Sequence, residues 1–158
     1  MNNKAFNDLI AMKRSCKKPQ EGDVFVLQPV EGQFYFGKVI KTNLVSIDSF
    51  INGSTLIYIY QYCSGEKVIP HDLENKEFLI PPAVVNNRPW SMGYFETICN
   101  VEVSEKEKNA DFAFWDVLRE IFVDINKQPV KKKPKYWSDF GLGSYGVIGK
   151  EVQKAIKK

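Results

Sequence analysis

Apolar positions in the first half of this chain recur with a period of two, which predicts strands. Val24 to Leu27 and Phe34 to Lys41 read as two consecutive strands joined by a turn at Pro29-Val30-Glu31-Gly32. Along the second, Phe34, Phe36, Lys38 and Ile40 point one way and Tyr35, Gly37 and Val39 the other. Leu44 to Ile51 and Thr55 to Tyr62 flank Asn52-Gly53, a dipeptide whose tolerance of positive φ predicts a hairpin. Four short strands at close spacing predict a strongly bent antiparallel sheet or an SH3-like half-barrel.

Helical spacing marks the two ends. Phe6, Leu9, Ile10 and Lys13 predict a short N-terminal helix over Asn3 to Cys16, capped by Asn2 or Asn3 and ended by Pro19 and Gly22. Its narrow apolar face makes residues 1–19 an appendage. Ser144 caps a C-terminal helix in which Val147 or Ile148, Val152, Ala155 and Ile156 form the apolar side. Between these ends, Ser64 to Arg88 reads as irregular, with Phe78-Leu79-Ile80 as one short strand, and Met92 to Val101 as a further strand. Ser104 to Asn109 reads as a solvated connection. Phe112 to Asp124 is ambiguous between helix and strand, with a strand expected at Ile121 to Ile125 paired with Pro129-Val130-Lys131. The fold class expected is α+β, mostly β, in a single domain over 1–158, with no repeat and no linker.

Composition narrows the function classes. The net charge of +3 does not mark a dedicated nucleic-acid binder. No stretch is long and apolar enough to predict a membrane span, and the first residues lack a signal-peptide core. Cys16, Cys63 and Cys99 are odd in number and widely spaced, which argues against a disulfide framework and fits a cytoplasmic location. One histidine, His71, and three scattered cysteines do not make a metal site, so no metal and no cofactor is expected. His71 reads as a solvated loop residue rather than the base of a Cys-His pair. Gly141, Gly143 and Gly146 precede a helix, but without a βαβ setting they read as a tight turn rather than a phosphate cradle.

Three blocks together resemble the immunity protein 26 family of bacterial polymorphic toxin systems. The first is Gly22-Asp23-Val24-Phe25 with Pro29, Gly32, Phe34, Phe36, Gly37, Lys38 and Val39. The second is Trp90-Ser91-Met92-Gly93. The third is Phe122-Val123-Asp124 with Pro129-Val130, followed by Gly141-Leu142-Gly143-Ser144-Tyr145-Gly146. They span residues 20–157 in the family's order. The resemblance implies a non-enzymatic, cytoplasmic protein that binds a cognate toxin, encoded by a neighbouring gene, and silences it by steric occlusion. It brings no catalytic residues with it.

Tight inhibition favours a few aromatic anchors within a charged rim. Trp90, Tyr94, Tyr136 and Trp137 are the expected anchors, and Glu102, Glu105 and Glu107 the residues expected to meet a basic toxin. Two other readings compete. The run Lys131-Lys132-Lys133-Pro134-Lys135 before Tyr136 and Trp137 would suit a nucleic-acid-binding small barrel, or simply a solvated basic turn that guards an edge strand. Some toxin ribonucleases with SH3-like barrels also open on a Gly-Asp-Val strand, with Arg-Pro expected after the second strand's glycine; here Gly37 is followed by Lys38-Val39. A monomer or weak homodimer is expected, with no membrane partner.

Overall fold

The computed structural model describes residues 8–46, 48–49 and 51–157. Five strands form one antiparallel sheet: β1 (Asp23–Val30), β2 (Gln33–Lys41), β3 (Thr55–Ser64), β4 (Phe78–Val85) and β5 (Glu96–Asn100), in the order β4-β3-β2-β1-β5. Every ladder of this sheet carries a register shift, at Leu27/Val30, Val24/Phe25, Tyr35/Phe36 and Ile57/Ile59 among others, and such bulges bend and twist strands. The sheet stays open. A second sheet, β7-β6-β8, joins β6 (Phe112–Asp116) to β7 (Ile121–Val123) antiparallel and to β8 (Tyr136–Asp139) parallel. The helices are α1 (Arg88–Ser91), α2 (Glu105–Lys108) and α3 (Tyr145–Ile156), with a 3-10 turn at Leu73–Asn75.

The large sheet is the middle layer, and both of its faces are buried. That is why β1 to β3 are nearly unbroken apolar runs. On one face Val24, Val26, Phe36, Tyr58 and Tyr60 pack against Phe114 and Val123 of the small sheet. On the other, Phe25, Leu27, Val39, Ile57 and Ile59 pack against Leu9, Trp90, Phe95 and the α3 residues Ile148 and Val152. The alternation read from β2 holds: Phe36 and Ile40 enter the first core and Val39 the second. Gly37 allows this layer to close, because a Cβ there would lie 2.4 Å from Cζ of Phe25 and 2.8 Å from the Tyr58 carbonyl oxygen.

Several expected elements differ. Residues 8–16 are not helical; the Ile10, Met12 and Ser15 N–H groups donate to the carbonyls of Gln28, Gly93 and Trp90, so this stretch straps across the fold instead. Residues 3–7 of the expected helix lie outside the described residues. Leu44 to Ile51 is not a strand, Ile47 and Phe50 again lying outside the described residues. Asp48 and Asn52 satisfy local backbone groups, with the Ile51 and Asn52 N–H groups donating to the Asp48 carbonyl and the Ser46 N–H to Asn52 Oδ1. This local bonding competes with a ladder. The Asn52-Gly53 turn exists, with Gly53 at φ +84°, but only its outgoing arm is a strand.

The irregular stretch expected over Ser64 to Arg88 contains β4, which runs through Pro81 and Pro82; prolines are tolerated there because β4 is an edge strand. The strand expected from Met92 is confined to Glu96–Asn100. Phe112 to Asp116 and Ile121 to Val123 resolve as strands, and the expected pairing beyond β7 appears as a bridge between Val123 and Pro129. At α3 the Ser144 side chain accepts from the Val147 N–H, and Ile148 rather than Val147 turns inward: Val147 is 54% exposed and Ile148 3%.

Candidate interaction surfaces

The stretch expected to be a solvated connection is a short helix with a charged group locked beneath it. Ser104 accepts from the Glu107 N–H at 3.1 Å, and Glu107 Oε1 accepts from the Ser104 N–H at 3.0 Å, a reciprocal cap that starts α2. Glu107 is 2% exposed. Lys38 Nζ, on the small-sheet side of β2, donates to Glu107 Oε1 at 2.8 Å and to the Glu102 carbonyl at 3.0 Å. The Tyr60 hydroxyl donates to Glu107 Oε2 at 2.6 Å, and the Tyr58 hydroxyl to the Glu107 carbonyl at 2.7 Å. Burial alone would raise the Glu107 carboxyl; the bonds from Lys38, Ser104 and Tyr60, with the lysine's charge, outweigh it and hold the carboxyl below its ordinary range. Burial and the Glu107 carboxylate push both tyrosine hydroxyls up. Every member of the network has a partner, which is what makes a buried ion pair tolerable. Above it lies an open cavity of about 380 Å³ rimmed by His71, Glu74, Glu102 and Glu105.

A second region surrounds β8. Trp137 is 42% exposed and lies 5.4 Å from Phe122 and 6.3 Å from Trp115, centroid to centroid. It also lines a groove of about 520 Å³ between the β4 edge, β8 and the start of α3, where Leu142 and Val147 are exposed and Asp139 and Glu151 supply charge. Tyr136 alternates to the inner side, 4.8 Å from Phe78, and its hydroxyl donates to Glu77, which also accepts from Lys135 Nζ at 3.1 Å. Those bonds hold the Glu77 carboxyl below its usual range.

The residues expected at an interface therefore divide. Trp137, Glu102 and Glu105 are exposed and Tyr136 is half-buried. Trp90 and Tyr94 are 2% and 3% exposed; Trp90 packs on Phe25 and Phe95 at 5.4 and 5.2 Å, so both belong to the core in this structure and offer a partner no surface. Glu107 is likewise withdrawn from the surface by Lys38. Glu102 precedes α2, Glu105 lies on it and Trp137 lies on β8; of the expected residues Tyr136 and Glu107 line a cavity of about 280 Å³ between these elements, together with Lys106, Lys135 and Glu77. The sequence reading missed the Lys38–Glu107 pair; the spacing Ser104-x-x-Glu107 was the signal that could have found α2. His71 is an exposed turn residue, all three cysteines are free, and among the described residues no group of acidic, histidine or cysteine side chains could hold a metal. Gly143 donates its N–H to the Val84 carbonyl at 2.6 Å and packs on Ile148, as a tight turn should.

The family profile described as Immunity protein 26 matches residues 20–122. The match takes in the whole five-stranded sheet, α2, β6 and the start of β7. It covers the first two sequence blocks described above and reaches the third only at Phe122. Neither a curated protein nor a solved structure matches the chain. With about two thirds of its length matched, the chain belongs to the immunity protein 26 family.

Proposed function

We propose that this protein neutralises a cognate protein toxin by binding it and occluding its working surface, without chemistry of its own. The family match over residues 20–122 carries the reading. The build of the molecule supports it. A sheet packed on both faces is a stiff platform, and stiffness reduces the entropy lost on binding. The carboxyls held low are each tied to a neighbour: Glu107 to Lys38, Asp116 to Arg119 and Glu77 to Lys135 and Tyr136. In this reading Trp137 and Tyr136 are anchors, Glu102 and Glu105 are rim charges that meet basic residues of the partner, and Trp90, Tyr94 and Glu107 act from inside the fold by holding the surface in place. The location is the cytoplasm of the producing cell, where the toxin must be met.

The test is calorimetry between the purified chain and the toxin encoded by the adjacent gene, alongside growth of cells expressing both. One-to-one binding with a nanomolar Kd, together with rescue of growth, is the expected result. Failure of both would overturn the reading.

A further inference from the structure

The outer face of the small sheet carries an aromatic cluster that belongs to neither core. On β6, Phe112 and Phe114 point into the core, so Trp115 points out. Trp115, Phe122 and Trp137 pack on one another, with centroids 4.9, 5.4 and 6.3 Å apart, and belong to neither buried cluster. Helix α3 packs its apolar side on the other face of the central sheet, and only its start, at Val147 and Glu151, reaches the groove that Trp137 lines.

Topology adds charge to this patch. The chain leaves β7 at one edge of the small sheet and must reach β8 at the other, and Lys131, Lys132 and Lys133 lie in that connection. They follow Val130, whose N–H donates to the Phe122 carbonyl at 3.0 Å. All three are exposed, and among the described residues none has an ion-pair partner, whereas Lys135 is paired with Glu77 and Lys38 with Glu107. Three cations without an ion-pair partner, on the segment that runs from Val130 at Phe122 to the strand carrying Trp137, give with the partly exposed aromatic cluster a surface complementary to carboxylates next to an apolar side chain.

We infer that this face is a docking surface for an acidic segment of the toxin, with Trp137 as the apolar anchor and Lys131 to Lys133 as the steering charges. The assignment rests on the immunity reading above and specifies where contact falls and what chemistry the partner brings. A nucleic-acid strand fits less well. Phe122 meets Trp115 and Trp137 edge to face, at 67° and 69°, and the two tryptophans are tilted at 53°, so the rings pack on one another instead of lying open as a platform for successive bases.

The experiment compares the wild type, Trp137→Ala, the triple variant Lys131→Gln/Lys132→Gln/Lys133→Gln, and the remote control Lys157→Gln for binding to the adjacent-gene toxin at several salt concentrations. Trp137→Ala is expected to weaken binding by at least about 30-fold. The triple variant, whose exposed side chains carry no packing, is expected to slow association several-fold and to flatten its salt dependence; the control is expected to bind like wild type. If wild type binds and both variants match it, this surface is wrong while the immunity reading stands. If wild type does not bind, the immunity reading falls and this assignment with it. Binding of a single-stranded oligouridine at low salt, lost in the triple variant, would overturn it in favour of nucleic acid.

Discussion

Lys38 and Glu107 show how two charges can be placed inside a protein of this size. They are 69 positions apart in the chain and 2.8 Å apart in space, at 4% and 2% exposure. Removing one partner leaves the other charged and dry, so Glu107→Ala should cost about 3–5 kcal/mol of stability, read from the urea midpoint. Lys38→Met with Glu107→Leu should recover much of that loss, because it removes both charges and keeps the volume. The pair also has a pH signature. A carboxyl held low in the fold adds stability that is complete above its ordinary pKa of 4.5 and is lost as pH falls through the folded value. The melting temperature of wild type should therefore fall on acidification below that point, and the double variant should show a shallower acid limb.

At the scale of the element, α3 gives the cleanest test of how sequence becomes structure. Ile148→Ala should cost about 2–5 kcal/mol, since Ile148 is nearly fully buried against the central sheet. Val147→Ala, one residue away and exposed, should stay within about 0.5 kcal/mol, and Ser144→Ala should lose about 1 kcal/mol with the cap. Denaturant unfolding of the three variants checks the order. This helix was legible because its cap and its stripe are local. The apolar runs of β1, β2 and β3 were legible for the same reason. Leu44 to Ile51 misled because Asp48 and Asn52 bind nearby backbone, a competition that hydrophobic pattern does not register. Helix α2 was hidden because Glu105-Lys106-Glu107-Lys108 is all charge, and the reason one of those charges is inward lies on β2. The burial of Trp90 and Tyr94 was hidden on a related ground: residue type suits an interface and a core equally, and only packing in one cluster with Phe25 and Phe95 decides.

For the whole molecule, reactivity reports the packing of layers. Cys16 and Cys63 are exposed, whereas Cys99 is half-buried on β5 and burial pushes its thiol up. A thiol reagent applied to the native protein should modify Cys16 and Cys63 quickly and Cys99 slowly, with all three equal after unfolding. Equal rates in the native state would show that the β5 edge opens readily. Expression of the chain without any toxin should leave growth unaffected; arrest would instead point to an activity of its own. The broad class, α+β and mostly β, was legible in the sequence, but the layered order was not. The parallel β6–β8 pair joins segments separated by a hairpin and a lysine-rich crossing, and no local pattern announces such a partner.

The family match stops at Phe122, yet Trp137 and the three unpaired lysines come later in the chain. On the inference drawn above, the recognition residues thus lie outside the stretch that the family match covers. The matched part carries the five-stranded sheet, and Ile148 and Val152 of α3, beyond it, complete the second core, while the crossing from β7 to β8 hangs between two fixed points on one small sheet. A loop held at both ends tolerates changes of length and composition at little entropic cost. Transplanting residues 126–139 into another immunity protein with the same sheets would carry this chain's choice of toxin with them, as an address is changed by relabelling a parcel whose contents are untouched.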